Sequence, residues 1–60
     1  ARVRYTEAEL CVILTGRVRL ESGGQSEVFG PGDAFVVEPG FDGLWVNLEP
    51  VTKIYAILEP

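Results

Sequence analysis

The sequence has no histidine and no methionine, and it carries one cysteine, Cys11, and one tryptophan, Trp45. Without imidazole there is no Ser-His or Cys-His pair to activate a nucleophile, and no Cys/His zinc site. A single thiol cannot close a disulfide within the chain. No apolar run approaches the ~18 residues that a membrane-crossing helix needs, and no charged-then-apolar signal pattern opens the chain. Basic residues are also few. Five Lys and Arg stand against nine Asp and Glu, for a net charge of −4, which argues against nucleic acid as a partner. The lone Cys11, between Leu10 and Val12, fits a reduced compartment. The expectation is a cytoplasmic protein with neither a nucleic-acid nor a membrane partner.

Against these absences stands a high apolar content, 47% of 60 residues. A chain of this length buries only about 60% of the surface its unfolded form exposes. The shortfall predicts help from a second copy in a homodimer, or from segments outside this sequence. The lack of methionine and the opening in mid-pattern at Ala1-Arg2-Val3-Arg4-Tyr5 make a truncated chain the expectation.

The apolar residues alternate or run in short bursts between glycine corners. Arg2 to Tyr5 alternates polar and apolar, as a half-buried strand does. Glu9 to Leu14 is apolar after its first residue, which predicts a central strand covered on both sides. Arg17 to Glu21 alternates again, and Ser22-Gly23-Gly24-Gln25 is a hairpin signal leading into Ser26 to Phe29. Ala34 to Val37, Leu44 to Leu48 and Lys53 to Leu58 complete about seven strands, with no helical periodicity. In the last, Ile54, Ala56 and Leu58 share one face, and Lys53, Tyr55 and Ile57 the other. Arg2, Arg4, Arg17 and Arg19 read as the solvated side of two strands. The fold class is all-β, an antiparallel jelly-roll barrel, open if strands are missing.

The middle of the chain, Phe29 to Gly43, holds two tight turns around the strand Ala34 to Val37. Gly30, Gly32, Gly40 and Gly43 supply conformations barred to other residues, and Pro31 and Pro39 fix φ beside them. Asp33 is placed to accept backbone N–H bonds and hold the first turn closed. Glu38 and Asp42 read as solvated turn residues.

These corners carry a resemblance. Glu9 followed by six residues and Gly16 matches the end of the first cupin motif, and Gly32-Asp33 with Gly40 matches the second. Glu38 stands where the motif's proline usually falls, with Pro39 one residue later. The chain thus resembles the cupin superfamily. It is most similar to a branch of small single-barrel predicted enzymes related to ureidoglycine aminohydrolases. That branch is marked here by Glu9-Leu10-Cys11-Val12-Ile13-Leu14-Thr15-Gly16-Arg17-Val18, by Gly40-Phe41-Asp42-Gly43-Leu44-Trp45, and by Leu48-Glu49-Pro50-Val51-Thr52-Lys53-Ile54-Tyr55. The resemblance implies a barrel in which three histidines and the glutamate surround one metal ion. At the histidine positions this chain has Val3, Tyr5 and Gly43. One carboxylate is too small a donor set for iron, manganese or zinc, so neither a metal nor any other cofactor is expected.

With Glu9 pointing inward as the family's glutamate does, Cys11 and Ile13 share its face. By the same resemblance Val3, Tyr5, Gly43, Trp45 and Asn47 line the cavity, with Tyr55 joining them. Apolar walls with a few converging polar groups describe a small-molecule site. The expected ligand contacts are Tyr5, Cys11, Trp45, Asn47 and Tyr55, and Glu9 is the candidate acid/base. Without histidine to activate it, Cys11 reads as a core thiol before it reads as a nucleophile. Three functions follow from this reading. The first is binding of a small polar metabolite, and the second is metal-free catalysis on a small nitrogenous one. In the third the barrel chiefly serves dimerisation.

Overall fold

The computed structural model describes residues 1–58. Seven strands form two antiparallel sheets: β1 (Arg2–Arg4), β2 (Ala8–Thr15), β3 (Val18–Ser22), β4 (Gln25–Phe29), β5 (Ala34–Val37), β6 (Asp42–Asn47) and β7 (Thr52–Leu58). One sheet has the order β1-β6-β3-β4 and the other β5-β2-β7. The architecture is the all-β, jelly-roll-like arrangement that the alternation and the glycine corners predict.

The core lies where β2 and β3 face each other across the two layers. Cys11, Ile13, Val18, Leu20 and Val37 are its buried residues, and Tyr5, Phe29, Phe35, Phe41, Trp45 and Val51 pack around them. Phe29 and Phe35 stack with centroids 3.8 Å apart, joining edge strand β4 of one sheet to edge strand β5 of the other.

Gly32 and Gly40 take the left-handed φ expected of them, 88° and 91°, whereas Gly30 and Gly43, expected to use the same freedom, do not; Gly43 is instead required by the close approach of the Glu21 carbonyl. Gly23 and Gly24 close the β3–β4 hairpin with φ of 59° and 78°, and Ser22 pairs with Gln25, the double left-handed geometry of a tight hairpin. The Asp33 carboxylate accepts the Gly30 N–H at 2.8 Å, so the turn between β4 and β5 is latched as expected. Asp42 is exposed as expected, and there it accepts two bonds from Arg2, at 3.0 and 3.1 Å.

One expectation is corrected. β2 is central in its sheet but covered on one side only: Cys11 and Ile13 are fully buried, whereas Leu10 and Val12 are half-buried and Leu14 is exposed. A run of apolar residues says that both faces of a strand avoid water, but not what covers each face. Here the second sheet covers the inner face alone.

Gly16 separates two kinds of glycine constraint. It has φ of 82°, and a Cβ there would overlap the Pro50 carbonyl. Gly23 has φ of 59° with nothing near a would-be Cβ. Gly23→Ala should therefore cost only the left-handed strain, about 1–2 kcal/mol. Gly16→Ala adds a backbone collision and should cost at least about 3 kcal/mol. Urea melts of the two variants check this ordering.

Candidate functional site

The inner faces of β2 and β7 carry the predicted residues into one region. Strand pairing sets Cys11 opposite Tyr55 and Glu9 opposite Ile57. Period-two alternation puts Glu9, Cys11 and Ile13 on the same side. The Cys11 thiol donates to Glu9 Oε2 at 3.3 Å. Tyr5, which follows β1, exchanges backbone bonds with the turn before β6: its N–H donates to the Phe41 carbonyl, and its carbonyl accepts from Gly40. This tether brings the Tyr5 ring edge-on to Phe41, with centroids 6.0 Å apart.

Tyr5, Glu9 and Cys11 act on one another electrostatically. The Tyr5 hydroxyl is pushed up to about 12, first by burial and then by the nearby Glu9 carboxylate. The Cys11 thiol is pushed up to about 11 by burial, by its bond to Glu9 and by that group's charge. A thiol so placed stays protonated near neutrality and is a poor nucleophile. Fully buried, Cys11 serves the site as a donor that orients Glu9.

A second group forms at the other side of Cys11. Trp45 Nε1 donates to Asn47 Oδ1 at 2.8 Å. The Lys53 ammonium sits 4.0 Å from the Trp45 ring centroid and 5.5 Å from that of Tyr55, a cation held over two aromatic faces. Lys53 is the residue that sequence reasoning left out. Its parity with Tyr55 put it on the inner face, but only the approach of β6 to β7 shows that it bridges the two rings. Tyr55 and Ile57 point inward yet are 59% and 53% exposed, so the sandwich is open along β7. Tyr5, Glu9, Trp45, Asn47 and Tyr55 thus gather along this open inner face.

A separate apolar cleft of about 330 Å³ lies on the opposite side, between β4 and β5. Phe29, Phe35 and Phe41 line it, with Glu27 and Glu38 at its rim. None of the predicted site residues belongs to it. The stacking of Phe29 on Phe35 depends on two edge strands meeting from different sheets, which no local pattern encodes.

The four positions that would hold a cupin metal fall into two pairs: Val3 faces Gly43 across β1 and β6, and Tyr5 lies near enough to Glu9 to feel its charge. The side chains there do not suit a metal. Among the described residues no three His, Cys, Asp or Glu groups come together in a way that could hold an ion. Gly43 has no room for a ligand either, since a Cβ would overlap the Glu21 carbonyl. The donor set and the backbone both disagree with the family's metal.

Two measurements check this description. Metal ions bound tightly to a native state raise its melting temperature, so added manganese, iron, nickel or zinc should leave the melting temperature unchanged. The raised Tyr5 and Cys11 groups favour the protonated folded state, and their stabilisation is complete below the ordinary thiol value of about 9. Stability should fall as pH rises from about 9 to 11 for Cys11 and from about 10 to 12 for Tyr5. Denaturation series at stepped pH would show the loss, and Cys11→Ala should flatten its lower part.

No curated protein and no solved structure matches the chain. A family model, the EutQ-like cupin domain, matches residues 1–55. With nearly the whole chain matched on a two-sheet jelly-roll frame, the protein belongs to the EutQ-like cupin domain family.

Proposed function

We propose that this cupin domain binds a small polar metabolite on its inner face without a metal. The observation that carries the reading is the convergence of unlike groups along the open β7 side. One carboxylate (Glu9), one amide (Asn47) and one ammonium (Lys53) lie among the rings of Tyr5, Trp45 and Tyr55. Aromatic walls with a few oriented polar groups hold small ligands by shape and by hydrogen bonds together. Glu9 forms no ion pair among the described residues, so its remaining acceptor capacity is free for a ligand donor.

A second reading is a metal-independent enzyme acting on a small nitrogenous metabolite, with Glu9 as acid/base. The Cys11–Glu9 bond supports it, because a carboxylate fixed by a neighbouring donor is oriented for proton transfer. The ureidoglycine aminohydrolase-related branch remains part of this proposal.

The test is a nuclear magnetic resonance titration with amino acids, amides, ureido compounds and short dicarboxylates. A ligand is expected to shift the Trp45 indole N–H and the Tyr55 and Glu9 amides. Loss of a charge-assisted hydrogen bond costs about 1.5–3 kcal/mol, so Glu9→Gln should weaken binding by roughly 10- to 100-fold. Shifts confined to the β4–β5 cleft, or affinity untouched by Glu9→Gln, would sink the proposal. If a bound compound is also converted, abolition of turnover by Glu9→Gln favours the enzyme.

A further inference from the structure

The apolar cleft between β4 and β5 holds a carboxylate where the strand pattern calls for an apolar side chain. Register sets Glu27 directly opposite Leu20, which is buried at 8% exposure. Residues paired across antiparallel strands share a face, so Glu27 lies on the inner face of β4, two residues before Phe29. Glu38 follows the last residue of β5 and reaches the same cleft. Among the described residues neither carboxylate has an ion-pair or hydrogen-bond partner. The rest of the lining is aliphatic or phenyl, with no Lys or Arg.

We propose that this cleft is a second binding site, for an arylalkyl primary ammonium: one aromatic ring on a short chain that ends in a protonated amine. Size and charge select that chemistry. The cavity, about 330 Å³, lies at the low end of the ~300–1,000 Å³ found for small-molecule sites, which suits one ring and a short chain. Phenyl walls accept an apolar body, and a rim of two unanswered negative charges attracts a cation. A primary ammonium carries three N–H donors, so it can bond Glu27 and Glu38 together. A quaternary ammonium fits less well. Cages for such ions offer ring faces, whereas Phe29 and Phe35 lie stacked on each other at 3.8 Å and 17°, so one face of each ring is already covered.

The walls are fixed before any ligand arrives. Phe29 and Phe35 come from edge strands of different sheets, and the turn between those strands is latched by Asp33 on Gly30. An inward-pointing charge on an edge strand also deters pairing with another chain. That role would explain Glu27, but not Glu38, which lies beyond the end of β5 at the same cleft. The cleft shares no lining residue with the Glu9 face, so this inference stands apart from the metabolite reading.

The test is a nuclear magnetic resonance titration of the labelled chain with phenethylamine near neutral pH. Phenylpropionate, with a similar body and the opposite charge, is titrated beside it. Phenethylamine is expected to give saturable shifts of the Phe29, Phe35 and Phe41 ring signals at a roughly millimolar dissociation constant, with phenylpropionate at least about tenfold weaker. Glu27→Gln and Glu38→Gln should each weaken the amine by about three- to tenfold. Both residues are exposed, so the fold should survive either change. Phenylpropionate binding as tightly as the amine would overturn the proposal, as would an affinity unmoved by the two substitutions together. Shifts centred on Trp45 and Tyr55, or no saturable shift at all, would overturn it too. If a variant fails to fold, the comparison of the two probes on the unaltered chain decides.

Discussion

Ile13 is the point on which the two layers depend. Its side chain is fully buried, while its N–H donates to the Asp33 carbonyl at 3.0 Å and its own carbonyl accepts from Gly32 at 2.9 Å. The turn that makes these bonds is latched by the Asp33 carboxylate on Gly30. One residue therefore joins the core to the corner that sends the chain from β4 to β5. Beside it, the extra residue Leu14 shifts the β2–β7 register before Thr15 meets Thr52. Such a bulge bends the strand, and the chain then turns at Gly16, against Pro50.

The site inherits its character from this arrangement. Because β2 is anchored by Ile13, the side chains two and four residues earlier, Cys11 and Glu9, share its inner face at fixed heights. Glu9 is aimed by the Cys11 thiol beneath it and influenced by Tyr5 from β1's extension. Across the open side, Lys53 holds Trp45 and Tyr55 together. The result has the positions of a metal cupin without its ligands. Where the family places a histidine, Gly43 lets β6 lie against the Glu21 carbonyl, so the sheet has closed over that corner.

The amino-acid sequence alone specifies the strands and corners. Alternation at Arg2 to Tyr5, the paired Gly23-Gly24 and the Gly30 to Asp33 turn are local devices, and local sterics and hydrogen bonding suffice to specify them. It also placed Glu9, Cys11 and Ile13 on one face, because side chains alternate strictly along a strand. Which apolar face is covered, the bridge from Lys53 to Trp45 and Tyr55, and the lack of room for a ligand at Gly43 come from packing instead. Each depends on how closely two segments distant in sequence approach. Periodicity records that a side chain avoids water, and only the packed sheets show what shelters it.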